Sequence, residues 1–434
     1  MKRDDDSGAD EKAQSGGGAV LGKPLSILIV TDIFFPDTPG GGNRMVYYAS
    51  RGLAEAGHRV RVVTHRPRPG LPPQEHIGRL DVRRYDLGFS ERRGALWEAF
   101  GAIRTVRRAC DELAREAPVD VVSVHQPLPG FAATLSPALR DVPFSYAFYS
   151  PWHEEYDFRV QASRNPCLRS IGWYGLNSRA RRLLEGRTLR RCRNVILLSE
   201  FSRTQIERIH RYPREGIFLI PGPVDESRYV PMEDRPAVRR RLGLPAEGTI
   251  LLTVRNLRRR MGLASLIDAM GRVVREAPSA FLVIGGKGPL REALEERARR
   301  LGLEGRVRFT GYLDEEDLPA CYNAADFFVL PTEVLEGFGM VTLEALACGT
   351  PVLGTPVGAT PELLRPLGES FLFADASPEA MAEAIVRHVR RLEADPAGYR
   401  ALRERCARYV RERFTWGQMV SRWDAALRAA AKTG

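Results

Sequence analysis

Short apolar runs alternate with longer amphipathic stretches along most of the chain, and no other feature constrains its fold as tightly. In the first half the runs are "LSILIV" (25–30), "RVRVVT" (59–64), "VDVVSV" (119–124), "PFSYAF" (143–148), "NVILL" (194–198) and "GIFLI" (216–220). In the second half they are "TILLTV" (249–254), "AFLVIG" (280–285), "RVRFTG" (306–311), "DFFVL" (326–330), "PVLG" (351–354) and "SFLF" (370–373). Runs of this length between turn residues read as buried strands, and segments such as 45–56 and 289–301 read as helices. Near-continuous apolar strands separated by helices predict parallel sheets covered on both faces. The chain's 434 residues exceed one ordinary core and suit two domains of roughly 200 residues. The expected class is therefore α/β, with two Rossmann-like, doubly wound domains facing an interdomain cleft. We place them at residues 25–228 and 229–412, joined through "GPVDESRYVPMEDRPAV" (222–238), rich in Pro and charge. Residues 413–434 form one more amphipathic helix, expected to cross back to the N-terminal domain. Residues 1–24 are polar and Gly-rich and read as a disordered tail, not a signal peptide.

Charge narrows the partners without choosing one. The net charge is +11 and almost wholly arginine, the only lysines being Lys2, Lys12, Lys23, Lys287 and Lys432. Such a surface suits an anionic partner: nucleic acid, acidic lipid or a phosphorylated substrate. The cysteines are scattered with no C-x-x-C pair, against a zinc site or a disulfide framework. Reduced thiols imply a cytoplasmic setting. No run of 18 apolar residues spans a membrane. The segments 91–113 and 179–193 are basic and amphipathic; their arginine faces are either solvated or contact anionic lipid or an acceptor phosphate at the inner membrane face.

In open parallel sheets, ligands bind at the carboxyl ends of strands. "DFFVLPT" is followed by a loop and then "GFGMVTLEALACG", which predicts a helix from near Gly337 to Gly349. A helix N-terminus opened by glycines after a strand favours an anion, because free N–H groups and the helix dipole face it. Two acids, Glu336 and Glu344, bracket this turn. Eight helical residues span about 12 Å, too far for a pair sharing one bond. The spacing suits hydroxyl groups on either side of a phosphate, as in a nucleotide sugar. It also suits a dipole-stabilising acid followed by a solvated one.

Other strand ends carry further candidates. Gly41 and Gly42, between the first strand and the helix near 45–56, read as a second backbone cradle or as an ordinary turn. His125 ends "VDVVSV", either facing the cleft or capping a loop. Tyr149, Trp152 and His153 lie in "YAFYSPWHEEY" (146–156), which reads either as a lining of the acceptor pocket, since aromatic faces suit stacking on a sugar, or as a partly buried aromatic loop. Lys287, in "GGKGP", follows another strand and offers a cation.

"EGFGMVTLEALACGTPVLGTPVGATPELL" closely resembles the E-x7-E signature of retaining glycosyltransferases of family 4, which have the GT-B fold. The likeness extends to "FPDTPGGGNRMVYYASRGLAEAGHRVRVVT", "VVSVHQPLPG", "VILLSEFSR", "IPGPVD", "IGGKGPLREAL" and "RVRFTGYLDEEDLPACYNAADFFVLPT". It implies that Glu336 holds donor-sugar hydroxyls and Glu344 the ribose. The backbone of Gly337, Phe338, Gly339, Met340 and Val341 would meet phosphate and sugar, and the base would sit near Tyr312 and Leu313. His125 would touch donor sugar or acceptor, and it and Glu336 would be the catalytic residues. Tyr149 stands where relatives often carry His. One loop departs from the pattern. "TVRNLRRRMGL" resembles G-R-L-x-x-x-K-G, whose Arg and Lys grip the donor phosphates. Aligned on Gly262, those positions hold Asn256 and Met261, leaving Arg255 and Arg260 as the expected substitutes, with Arg258 and Arg259 solvated.

The expectation is a retaining, metal-independent glycosyltransferase. It would use a UDP- or GDP-linked sugar as co-substrate, need no other cofactor, and transfer to a hydroxyl of a lipid, glycan or natural product. The rivals are a sugar-nucleotide epimerase on the same fold, a non-catalytic sugar-nucleotide binder, and a nucleic-acid-binding protein. The last lacks any recognisable aromatic–basic RNA motif or helix-turn-helix.

Overall fold

The computed structural model describes residues 22–32, 34–37, 41–86, 95–161 and 171–432. Most of the N-terminal tail, residues 38–40 of the first glycine turn and residues 91–94 of the first basic segment lie outside them. The chain divides into two compact units, Met1–Ser145 with Trp416–Gly434, and Tyr146–Thr415.

The first unit holds strands β1 (Ser26–Val30), β2 (Arg59–His65), β3 (Gln74–Ile77), β4 (Leu80–Tyr85) and β5 (Val121–Val124), in the sheet order β3-β4-β2-β1-β5. Its helices are α1 (Gly41–Glu55), α2 (Ala95–Glu116) and α3 (Pro127–Thr134). Parallel register runs from Ile27↔Val60 to Val30↔Val63, and from Ile27↔Val121 to Val30↔Val124. Ile27 to Val30, Val62, Val63, Val121 and Val122 are buried between the layers. Removal of this apolar surface from water supplies the drive for the sheet. Arg61 is an inward charge on β2. Its guanidinium donates to the carbonyls of Leu113, Ala117 and Pro118 at the end of α2, satisfying groups the helix leaves open.

The second unit begins within β6 (Phe144–Phe148) and continues with α4 (Trp152–Gln161), α5 (Ile171–Arg191), β7 (Cys192–Leu197), α6 (Glu200–His210), β8 (Ile217–Leu219) and α7 (Arg235–Arg241). A five-stranded parallel sheet follows, built from β9 (Thr249–Val254), β10 (Ala280–Gly285), β11 (Val307–Gly311), β12 (Phe327–Leu330) and β13 (Val352–Gly354) in the order β11-β10-β9-β12-β13. Its helices are α8 (Leu263–Glu276), α9 (Arg291–Arg300), α10 (Leu318–Ala324), α11 (Met340–Ala347), α12 (Thr360–Leu364), α13 (Pro378–Ala394) and α14 (Pro396–Arg413). Asp326, just before β12, accepts from Arg235, Arg239 and the Ile250 N–H, so this buried carboxylate is fully paired. The last helix, α15 (Trp416–Ala431), returns to the first unit and packs on α1 and β5. Its Asp424 meets His58 Nε2 at 3.0 Å while Leu25 N–H donates to His58 Nδ1.

Three expectations need correction. β3 and β4 form an antiparallel hairpin where no strand is expected from the apolar pattern. "SFLF" is not a strand: a 3-10 turn covers Glu369–Phe371, and a single bridge joins Leu372 to Gly354. The helix expected from near Gly337 begins only at Met340.

Candidate active site

The late start of α11 changes how the two acids relate. Glu336 lies in the loop after β12, not in a helix, so a helical ruler does not measure its separation from Glu344. Leu335 carries φ +55°, a strained value for a residue with a branched side chain, and Gly339 carries φ +86° as the N-cap of α11. Such strain persists only where neighbours over-determine the loop. They do: Arg260 Nη1 donates to Leu335 O at 2.7 Å, and Ala359 N–H donates to Glu336 O at 2.9 Å. Thr355 Oγ1 holds Thr332 O at 2.6 Å, and Glu333 N–H donates to Arg260 O at 2.9 Å. A Cβ on Gly358 would collide with the Glu336 carbonyl oxygen, so only glycine permits this approach.

Glu336 is 8% exposed and fixed through one oxygen. Arg255 Nη2 donates to Oε2 at 2.6 Å, and Thr332 Oγ1 donates to the same oxygen at 3.0 Å. Arg255 Nη1 donates in turn to Thr332 Oγ1 at 2.9 Å. Arg260, expected beside Arg255, is half-buried. Burial lowers its guanidinium pKa against the upward pull of Glu336, and Arg255 lowers it further. Asn256, Arg258 and Arg259 of the same loop are exposed.

Glu344 sits deeper, 4% exposed, on α11. Its Oε2 accepts the hydroxyl of Tyr322 on α10 at 2.8 Å. Burial, and then the Glu344 charge, push the Tyr322 hydroxyl pKa far up, so it stays a donor. The Gly337 backbone is approached closely: a Cβ there would lie 2.9 Å from the Tyr149 carbonyl oxygen. The Gly337 carbonyl accepts from Ser199 Oγ at 2.8 Å. Phe338 is buried and Met340 half-buried, and both crowd Gly222. Val341 is half-buried in the first turn of α11. Lys287 Nζ lies 5.0 Å from the centroid of the exposed Tyr312 ring, while Leu313 packs on Gly285.

The remaining sequence candidates divide between the units. Trp152 and His153 open α4, and Trp152 faces the Arg181 guanidinium at 4.9 Å from its ring centroid. Burial raises the Tyr149 hydroxyl pKa and lowers that of the His153 imidazole. Gly41 and Gly42 are the first residues of α1 in the first unit. His125, also in that unit, is buried and stacked on Trp423 of α15, ring centroids 5.7 Å apart and planes within 4°. Burial lowers its pKa to about 3, so it is neutral across the physiological range. Thr332, Leu335, Tyr322 and Gly358 were not foreseen. Thr332 alone had a signal, since it directly follows the strand "DFFVLP" at its carboxyl end.

Among the described residues no group of three or more His, Cys, Asp or Glu could hold a metal ion. None of the described helices is long and apolar enough to cross a membrane.

A strained, arginine-clamped acid precedes a glycine-capped helix at the carboxyl end of a parallel α/β sheet, the end at which open sheets of this kind bind ligands. Two family models match the chain: "Glycosyltransferase Family 4" over residues 39–228 and "Glycosyl transferases group 1" over residues 234–413. The chain belongs to this family and is a glycosyltransferase. It is 30% identical to the D-inositol 3-phosphate glycosyltransferase of Geodermatophilus obscurus, across 91% of this chain and 85% of that one. It is 38% identical to the mannosylfructose-phosphate synthase of Agrobacterium fabrum, but spans only 37% of that protein's length and aligns over 37% of its own. Among solved structures, sucrose-phosphate synthase from Thermosynechococcus elongatus superposes with a TM-score of 0.75 at 24% identity, covering 93% of this chain and 98% of that one. The fold is accordingly GT-B.

Proposed function

We propose that the protein transfers a sugar, with retention of anomeric configuration, from a nucleoside-diphosphate donor to an acceptor hydroxyl. The observation that carries this reading is Glu336: a buried carboxylate held, among the described residues, through Oε2, in a strained loop directly before the N-terminus of α11. Glu336 Oε1 then meets hydroxyls of the donor sugar, and Glu344 meets the ribose. The first N–H groups of α11 and the guanidinium of Arg260 face the diphosphate, where they stabilise charge as it develops. Tyr312 and Leu313 flank the base and Lys287 adds a cation. Gly41 and Gly42 are assigned to the donor side, His125 to a catalytic contact with donor sugar or acceptor, and Tyr149, Trp152 and His153 to the acceptor.

In the transfer step the acceptor oxygen bonds to the anomeric carbon on the face from which the phosphate departs. The carbon–oxygen bond to phosphate breaks with its electron pair going to the phosphate oxygen, and that oxygen takes the acceptor's proton. No metal is required in this scheme, because arginine and helix dipole meet the leaving charge. The two family models end and begin at residues 228 and 234, which supports a functional division at 228/229.

A thermal-shift panel of UDP-, GDP-, ADP- and dTDP-sugars tests donor binding, since any ligand of the native state raises Tm. Glu336→Ala should abolish transfer and Glu344→Ala should chiefly weaken nucleotide binding. Wild-type activity in both variants would sink these roles. On α5, Leu176 and Leu183 are exposed beside the exposed Arg179, Arg187 and Arg190. Co-sedimentation with phosphatidylglycerol vesicles distinguishes a lipid-facing from a solvated arginine face.

A further inference from the structure

The loop between β9 and α8 breaks its family's pattern at three linked positions. Arg255 stands where the pattern has glycine, Asn256 where it has arginine, and Met261 where it has lysine. Taken singly, each change removes or misplaces a cation. The structure shows where the charge went. Arg255 is buried, and its Nη2 lies 2.6 Å from Glu336 Oε2 and 2.9 Å from Met261 Sδ. The guanidinium thus lies against the side chain at the lysine position. Asn256, the residue at the arginine position, is exposed.

The bonds around Arg255 are directional and closed. Nη1 donates to Thr332 Oγ1, Thr332 Oγ1 donates to Glu336 Oε2, and Nη2 donates to the same Oε2. Two donors meet one oxygen of the acid and restrain the carboxylate through Oε2. A thioether at position 261 fits this arrangement. It accepts a weak N–H···S contact and brings no second positive charge. A lysine at 261 beside Arg255 would place two cations against one carboxylate, with Arg260 also near.

We infer that Arg255 acts as the positioning residue for Glu336, from a guanidinium beside the side chain at position 261, and does not itself grip the donor phosphates. This rests on the assignment of Glu336 to the donor sugar. Residues 255 and 261 are then coupled: the site works with a cation at one of them, not at both and not at neither.

The test uses the full-length chain with Arg255→Ala, Met261→Lys and the double variant. Arg255→Ala should lower kcat at least about 100-fold, because the acid that orients the sugar loses its clamp. It should leave the Kd of the nucleoside diphosphate within about twofold, whereas a phosphate ligand would weaken it more than about tenfold. The double variant should recover at least about tenfold of the lost kcat, while Met261→Lys alone should fall below the wild type. The thermal midpoint provides a readout independent of any donor. Arg255→Ala should lower Tm by several degrees, since it leaves a buried carboxylate unpaired. The added lysine should restore at least half of that loss, and Glu336→Gln in the Arg255→Ala background should restore it too. Failure of either substitution to restore Tm would overturn the inference whatever the enzyme does. Failure of all four nucleotides to bind, with Tm restored, would overturn the donor reading and leave the coupling standing. A more than tenfold loss of nucleoside-diphosphate affinity in Arg255→Ala would return Arg255 to the phosphates.

Discussion

Tyr322→Phe removes one hydroxyl and nothing else of size, and it should separate the stability of α11 from its ligand function. The ring packs edge-on against Tyr229 and Phe328, with centroids 6.0 and 5.6 Å away, and phenylalanine preserves both contacts. What goes is the 2.8 Å bond to Glu344 Oε2. A hydrogen bond to a charged group contributes about 1.5–3 kcal/mol, and losing this one from the buried Glu344 forfeits that much. The variant should therefore unfold in urea with a free energy about 1.5–3 kcal/mol lower and an unchanged m-value.

Binding should respond by less. Glu344 keeps its charge and its place on α11, but its side chain loses one restraint that the ligand must then supply. Immobilising one such side chain costs about 0.5–1.5 kcal/mol, so the nucleoside diphosphate should bind about two- to thirteenfold more weakly by calorimetry. In a Glu344→Gln background the same Tyr322→Phe change should cost little more, because the charge-assisted bond is already gone. Two outcomes would refute the reasoning. Stability within about 0.5 kcal/mol of the wild type would mean the bond does not hold the acid. A full stability loss with unchanged affinity would mean that Glu344 lies away from the ligand.

Three further substitutions probe other supports. Gly358→Ala forces a Cβ at φ +61° into the Glu336 carbonyl, and should cost about 3 kcal/mol or more together with most activity, read by urea unfolding and initial rates. Trp423→Ala removes the ring stacked on His125 from a fully buried site, and should cost about 3–5 kcal/mol; a loss below about 1 kcal/mol would mean that α15 is not integral to the first unit. His125 is neutral when folded, with its pKa lowered to about 3, but protonates near the ordinary histidine value of about 6.5 when unfolded. The stability it lends is complete above that value and is lost as pH falls from about 6.5 toward 3, amounting to about 2 kcal/mol between pH 7 and 5. His125→Gln should shrink the pH 7-to-5 difference in unfolding free energy by that amount, and an undiminished difference would remove His125 as its source.

The alternation of apolar runs and helical stretches was legible because it reflects burial, and burial follows chain-local periodicity. Where buried charge replaces apolar surface, that signal fails. "QEHIGRLDVRRY" reads as a polar loop, yet its Arg84 is buried against Asp37 and Glu75 in a strand. "SFLF" errs the opposite way: its apolar residues cover a 3-10 turn. The onset of α11 was misplaced because the chain bends through two left-handed residues, Leu335 and Gly339. Leucine gives no warning of such a backbone, since neighbours hold it there.

The site divides along the same line. Glu336, Glu344 and the glycines between them are contiguous, so a motif can carry them. Their supports come from far along the chain, Arg255 lying 81 residues and Tyr322 lying 22 residues from the acid each one holds. A motif compared position by position registers Asn256 and Met261 as two missing cations. Geometry registers one cation that arrives from the neighbouring position and ends beside Met261. Charge at a carboxylate is a requirement on a point in space, within about 4 Å, and several sequence positions can meet it. A departure in one position of such a loop is therefore best judged by where the adjacent long side chains reach. By that measure this loop places a cation beside Glu336 although its motif positions hold Asn256 and Met261.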